Sequence, residues 1–155
     1  MDALSLTSRQ VLTFRLGSEA YGIDILQVQE IRGWSPVTRI PQSGPHVLGV
    51  LNLRGSIVPI VDLRARFALE ASFTPQTVII VISLRDAVGR RECGLVVDSV
   101  SDVVDIDAAS LRAPPELDGA TPTDFIASLA TVGDRMLILL DVEHLLARDV
   151  PRAAA

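Results

Sequence analysis

Val47-Leu48-Gly49-Val50-Leu51-Asn52-Leu53-Arg54-Gly55-Ser56-Ile57-Val58-Pro59-Ile60-Val61-Asp62-Leu63 sets two apolar runs on either side of a short polar tip, Asn52-x-Arg54-Gly55. Aliphatic, β-branched runs separated by an Arg-Gly pair read as a buried β-hairpin, because glycine takes the positive φ of a tight turn without steric cost. Arg54 is then held at a rigid rim. An isolated arginine beside a glycine is more often an ordinary solvated turn residue, so its meaning depends on the rest of the chain.

The 155 residues suit one domain or two small fused lobes, with enough chain to bury a core without disulfides or metal. Hydrophobic residues make up 48% of the chain, yet there are only one tryptophan, one tyrosine and four phenylalanines. The core must therefore be built from Val, Ile and Leu, which favour pleated, half-buried surfaces, so an all-β or β-dominated domain is expected. Cys93 is the lone cysteine and opens an apolar strand, which suits a buried structural thiol and a reducing compartment. The start, Met1-Asp2-Ala3-Leu4-Ser5-Leu6, lacks a basic region followed by a hydrophobic run, and no apolar stretch is long enough to cross a bilayer. A soluble, cytoplasmic protein without direct membrane insertion is the expectation.

The net charge of −5 is uneven: residues 1–76 carry 7 Arg and 6 acids, while residues 77–155 carry 7 Arg and 13 acids. An acidic second half argues against nucleic acid as a partner. All 14 cations are arginine, which excludes Schiff-base chemistry and a phosphate-loop lysine.

The chain repeats itself. Tyr21-Gly22-Ile23-Asp24-Ile25-Leu26-Gln27-Val28-Gln29-Glu30-Ile31 is echoed by Cys93-Gly94-Leu95-Val96-Val97-Asp98-Ser99-Val100-Ser101-Asp102-Val103 at a constant offset of 72 positions. Gly22 matches Gly94, Val28 matches Val100, and Glu30 matches Asp102. A second echo sets Arg54 through Asp62 against Gly133 through Asp141, each a turn, an apolar strand and a closing aspartate suited to a helix N-cap. Two similar small β lobes are implied, divided near residues 76 and 77, with strands near Gln10–Leu16, Ala20–Ile23, Val47–Leu53, Ser56–Val61, Thr77–Leu84, Glu92–Val97, Ile126–Ala130 and Met136–Leu140. Asp24–Ile31 fits a helical turn and a strand about equally. Trp34-Ser35-Pro36 and Pro41 through Pro45 are turn chemistry around a short Val37–Ile40 strand, with Trp34 partly exposed. Residues 105–125 read as a long loop.

Catalytic chemistry has little to stand on. His46 lies beside Pro45 and His144 in a C-terminal helical turn, and no triad pattern surrounds either. Asp98, Asp102, Asp105 and Asp107 lack the glycine a calcium loop requires and read as a solvated acidic face. The glycines form no strand-loop-helix fingerprint for a nucleotide phosphate. No catalytic residue, metal or cofactor is expected, and the kit is that of a binding module. A small phosphatase acting on a response regulator, the competing class, needs an acid–amide pair on a long helix, whereas Asn52 is the only asparagine.

From about Gln10 to Leu146 the chain resembles the CheW family of bacterial chemotaxis coupling proteins. The resemblance rests on Tyr21-Gly22-Ile23-Asp24-Ile25, Val28-x-Glu30-Ile31, Gly49-Val50-x-Asn52-Leu53-Arg54-Gly55, Pro59-Ile60-Val61-Asp62-Leu63, Val97-Asp98-x-Val100-x-Asp102-Val103 and Gly133-Asp134-Arg135-Met136-Leu137-Ile138-Leu139. It implies two five-stranded, SH3-like β-barrels with short helical turns and a short C-terminal helix, forming one CheW-like domain over residues 10–147, with tails at 1–9 and 148–155. It implies a non-enzymatic adaptor, monomeric in isolation. One surface would bind the regulatory domain of the chemotaxis histidine kinase, and another the cytoplasmic hairpin tip of a chemoreceptor in a membrane-associated array. Related couplers serve twitching motility or surface sensing, and the sequence leaves the pathway open. By the family pattern, Val28, Glu30 and Ile31, with Val100 and Val103 from the echo, belong to the receptor groove; the bland reading of the four aliphatics is core. Asn52 and Arg54 belong to ternary assembly. Arg112, Glu116 and Leu117 match an Arg-x-x-Pro-Glu-aromatic element that contacts a neighbouring kinase domain, with Leu117 standing where the family has an aromatic.

Overall fold

A computed structural model describes residues 8–41, 46–86, 89–113 and 125–146. The opening stretch is a hairpin of β4 (Val47–Leu53) and β5 (Ser56–Asp62), paired from Val47 opposite Val61 to Leu53 opposite Ser56. Arg54 and Gly55 form its two-residue loop, with φ of 53° and 87°. Two successive positive φ values give the turn that matches strand twist, and here an arginine occupies the first of them at some conformational cost. Asn52 Oδ1 offsets that cost by accepting the Gly55 N–H at 3.0 Å, which closes the turn from the strand side.

Around the hairpin lie β1 (Ser8–Leu16), β2 (Glu19–Asp24), β3 (Val28–Gly33), α1 (Leu63–Arg66), β6 (Val78–Asp86), β7 (Gly89–Val97) and β8 (Ser99–Asp107). The chain continues through β9 (Leu111–Arg112), β10 (Ile126–Val132), β11 (Arg135–Leu140) and α2 (Val142–Leu146). The ambiguous segment after Asp24 is both things in turn: a 3-10 turn over Ile25–Gln27, whose Leu26 N–H is capped by Asp24 at 2.9 Å, and then β3. The expected Val37–Ile40 strand shrinks to a single bridge residue, Thr38. Residues 105–107 extend β8 instead of opening a loop; a 3-10 turn over Ala108–Ser110 and β9 follow, and residues 114–124 lie outside the described part.

The strands form two sheets, one in the order β8-β1-β2-β11-β10-β9, the other β3-β6-β7-β5-β4. One sheet thus has five strands, and the other has five longer strands plus the two-residue β9. The duplication is real, but strand pairing does not divide at residue 76. The first repeat's β1 and β2 pair with the second repeat's β8 and β11, while β6 and β7 pair with β3 and β5. The connections explain the exchange. Only Asp98 separates β7 from β8, too short for a hairpin loop, so the chain bends from one sheet onto the other. The three-residue 3-10 turn carries the chain across likewise between β2 and β3.

The five-stranded sheet closes on itself beyond β3. Thr38 N–H donates to Val50 O at 3.0 Å and Val50 N–H returns the bond at 2.8 Å, joining the continuation of β3 to β4. A Cβ on Gly49 would collide with the Thr38 carbonyl, so glycine is what permits the closure. Three apolar clusters follow. One, around Leu53, Val58, Ile60 and Val81, fills this barrel; one, around Val11, Ile106, Leu137 and Leu139, lines the other sheet; the largest, including Phe14, Val61, Leu63, Leu95 and Leu145, binds the two together. Cys93 is fully buried in that central cluster. Asp62 and Asp141 cap the two short helices as the repeat implies, accepting the Arg64 N–H at 2.9 Å and the His144 N–H at 3.1 Å.

Candidate functional site

Two residues that lie 24 positions apart in the sequence meet at the rim of the closed barrel. Glu30 projects from β3, and Arg54 Nη1 donates to its Oε1 at 2.5 Å. Glu30 lies on β3 and Arg54 directly follows β4; these two strands stand at opposite edges of the open sheet order, and barrel closure brings them together. Arg32 approaches the other carboxylate oxygen of Glu30 at 3.4 Å. The hydrogen bond from Arg54 is the main reason the Glu30 carboxyl lies below the usual glutamate range, and the same bond raises Arg54 in return. Glu92 adds a longer-range attraction to Arg54. The Arg54 side chain is 62% exposed and Glu30 27%, so the pair stays within reach of a partner. Asn52, exposed, shapes the turn from below.

The aliphatic candidates fall into two kinds. Val28 and Val100 are half-buried and pack against the central core. Ile31 is 44% and Val103 47% exposed. Val28, Glu30 and Ile31 share β3, at the edge of one sheet; Val100 and Val103 share β8, at the edge of the other. The five residues thus occupy equivalent outer strands of two different sheets, each presenting an acid followed by an exposed aliphatic: Glu30-Ile31 and Asp102-Val103. Asp102 differs from Glu30 in its partner, accepting a bond from the buried Thr13 hydroxyl at the β1–β8 bulge. Arg112 lies on β9, exposed, with Nη1 donating to the Ala109 and Leu111 carbonyls at 3.1 and 3.0 Å. Glu116 and Leu117 lie outside the described residues.

Arg64 escaped the sequence reading. It has no exposed surface and donates to both Asp62 carboxylate oxygens at 3.0 and 3.2 Å, to the Ser72 carbonyl, and to Asp98 Oδ1 at 2.9 Å. Its only sequence signal is its place two residues after the capping aspartate, in the first helical turn, where an arginine looks like ordinary helix surface.

Among the described residues, no group of His, Cys, Asp and Glu is placed to hold a metal ion, and no helix is long and apolar enough to cross a membrane. Two interlocked β-sheets with their polar display on edge strands and a hairpin tip define a β-sheet binding module. A family model described as CheW-like domain matches residues 10–150, and the chain belongs to the CheW family of chemotaxis coupling proteins. It is similar to the chemotaxis protein CheW of Klebsiella aerogenes, 47% identical over 142 residues covering 91% of this chain and 83% of that protein. The probable chemotaxis protein CheW of Rhizobium etli is 35% identical, over 99% of this chain and 97% of its own. The crystal structure of the scaffolding protein TtCheW from Thermoanaerobacter tengcongensis superposes with a TM-score of 0.78 at 31% identity, covering 89% of this chain and 87% of that one.

Proposed function

We propose that this protein is a non-enzymatic adaptor, working in the cytoplasm, that couples chemoreceptors to the chemotaxis histidine kinase and is recruited to their membrane-associated arrays. The observation that carries the reading is the Glu30–Arg54 pair, which brings together at the barrel rim one residue that the family pattern assigns to the receptor groove and one that it assigns to ternary assembly. A helical hairpin tip is recognised by apolar side chains with a polar rim, the helix-in-groove mode. Ile31 and Val103, exposed on the two outer strands, supply apolar side chains, and Glu30 and Asp102, at the adjacent positions of the same strands, supply charge. The kinase regulatory domain would meet the hairpin bearing Asn52 and Arg54, where a guanidinium offers directional bonds to a carboxylate. Arg112, with Glu116 and Leu117, is assigned to a neighbouring kinase domain.

The test is size-exclusion chromatography with light scattering on mixtures of this protein, the kinase regulatory domain and a receptor hairpin fragment. A stoichiometric ternary complex supports the adaptor reading. Arg54→Glu should abolish that complex while leaving the circular-dichroism spectrum intact, since a charge reversal at an exposed turn tip opposes a partner far more than it opposes folding. No complex with wild-type protein at tens of micromolar would remove the reading.

A further inference from the structure

We propose that Arg64 is a positioning residue: its clasp on Asp98 fixes the angle between the two sheets and so aligns the outer strands β3 and β8 for one helical partner. The proposal rests on the adaptor reading for the partner, and on geometry alone for the clasp. Asp98 alone links β7 to β8, where the chain passes back from one sheet to the other. One of its oxygens accepts from Arg64 Nη1 at 2.9 Å; the other accepts the Gly17 N–H at 2.7 Å, in the β1–β2 turn of the other sheet. Arg64 also grips Asp62, at the end of β5, and the Ser72 carbonyl in the connection to β6. Its guanidinium lies 5.0 Å from the Phe73 ring centroid, and Phe73 stacks on Trp34, the residue that directly follows β3, at 4.4 Å. From this one guanidinium, contacts therefore run to the end of β3 and to the start of β8.

An aliphatic side chain could fill the same space without the desolvation a buried guanidinium suffers. What it could not do is impose direction. The planar fork satisfies acceptors on three separate segments only in one relative arrangement, which is what two edges must hold if a rigid helix is to touch both.

The test measures the angle and the binding separately. Spin labels at Ile57→Cys and Met136→Cys, exposed sites on β5 and β11, report the distance between the sheets in a Cys93→Ala background. The background protein should give one narrow distribution. Asp98→Asn, which matches the size of Asp98 but loses one of its two acceptors, should broaden it and weaken binding of the receptor hairpin fragment about tenfold, with unchanged circular dichroism. Arg64→Lys, which keeps a cation beside Asp62 but cannot span all three acceptors, gives the same reading should Asp98→Asn fail to fold. A broad background distribution, or a narrow one in the variants, overturns the clasp. Broadening with unchanged affinity overturns its role in alignment. Absence of binding by the background protein removes the adaptor reading and the alignment claim with it, while the distance widths still decide the clasp.

Discussion

Gly94 on β7 lies directly opposite Ile60 on β5 in parallel register, and a Cβ there would stand 2.5 Å from Ile60 Cδ1 and 2.8 Å from Ile79 Cγ2. Its counterpart in the other repeat, Gly22 on β2, lies opposite Leu139 on β11, 2.9 Å from its Cδ2. These are the two seams at which one repeat's strand meets the other's hairpin. Gly94→Ala should cost about 1–3 kcal/mol by overpacking, because two neighbours must move together. Gly22→Ala should cost less, since its closest obstacle is the end of one leucine. Thermal melting of the two variants ranks them, and equal midpoints would contradict the account.

Gly49→Ala tests the closure of the five-stranded barrel. The obstacle there is backbone, the Thr38 carbonyl, which cannot rotate away as a side-chain end can. The expected loss is about 2 kcal/mol or more, together with faster hydrogen exchange at the Thr38 and Val50 amides, which bond to each other's carbonyls across the seam. Protection unchanged at both amides would mean that the seam tolerates a methyl.

The strands that announced themselves in the sequence were the most uniformly apolar ones. Val47–Leu53 is predicted at its observed limits, and Ser56–Val61 falls one residue short of β5, because continuous aliphatic runs ending in Arg-Gly leave little else to choose. Strands with acids at their exposed positions were less legible. β8 carries Asp102, Asp105 and Asp107 on its exposed positions, so its residues look like loop although they pair with β1 along its length. The repeat was visible as matching glycines, but the exchange of strands between repeats was not, since the decisive feature is the one-residue bend at Asp98. For the site, Glu30 and Arg54 emerged as separate motifs. Their contact depends on a barrel closure made by Thr38 and Gly49, to which no charge pattern points. Arg64 was invisible because burial, not residue type, makes it unusual.

The Glu30–Arg54 pair has a direction in pH. Arg54 lowers the folded-state pKa of Glu30, so whatever the pair contributes is present above the ordinary glutamate pKa of about 4.3 and is lost as pH falls through the lower, folded value. Carbon-detected NMR titration of the Glu30 carboxyl should give a midpoint below the ordinary range. Arg54→Ala should move that midpoint upward, and Arg32→Ala should move it less, given its longer 3.4 Å contact. An Arg54→Ala protein with the wild-type midpoint would dissolve the pair as a solution contact.

Val28 and Ile31 sit three residues apart on β3 and should answer the same substitution differently. Val28 packs against the central core, so Val28→Asp places a carboxylate against apolar side chains, at a cost of about 2 kcal/mol or more. For a domain of this size that lowers the melting temperature by ~5 °C or more. Ile31 is 44% exposed, and Ile31→Asp lets its carboxylate stay hydrated, so the melt should stay within ~2 °C of wild type. Binding should reverse the ranking of damage per degree lost: Ile31→Asp would weaken capture of a receptor hairpin fragment with the fold intact, because a carboxylate replaces an exposed apolar side chain of β3. Calorimetric melts and fragment titrations on both variants decide the matter. An Ile31→Asp protein that melts as early as Val28→Asp would make Ile31 core, and one that binds the hairpin with wild-type affinity would take β3 out of the receptor surface.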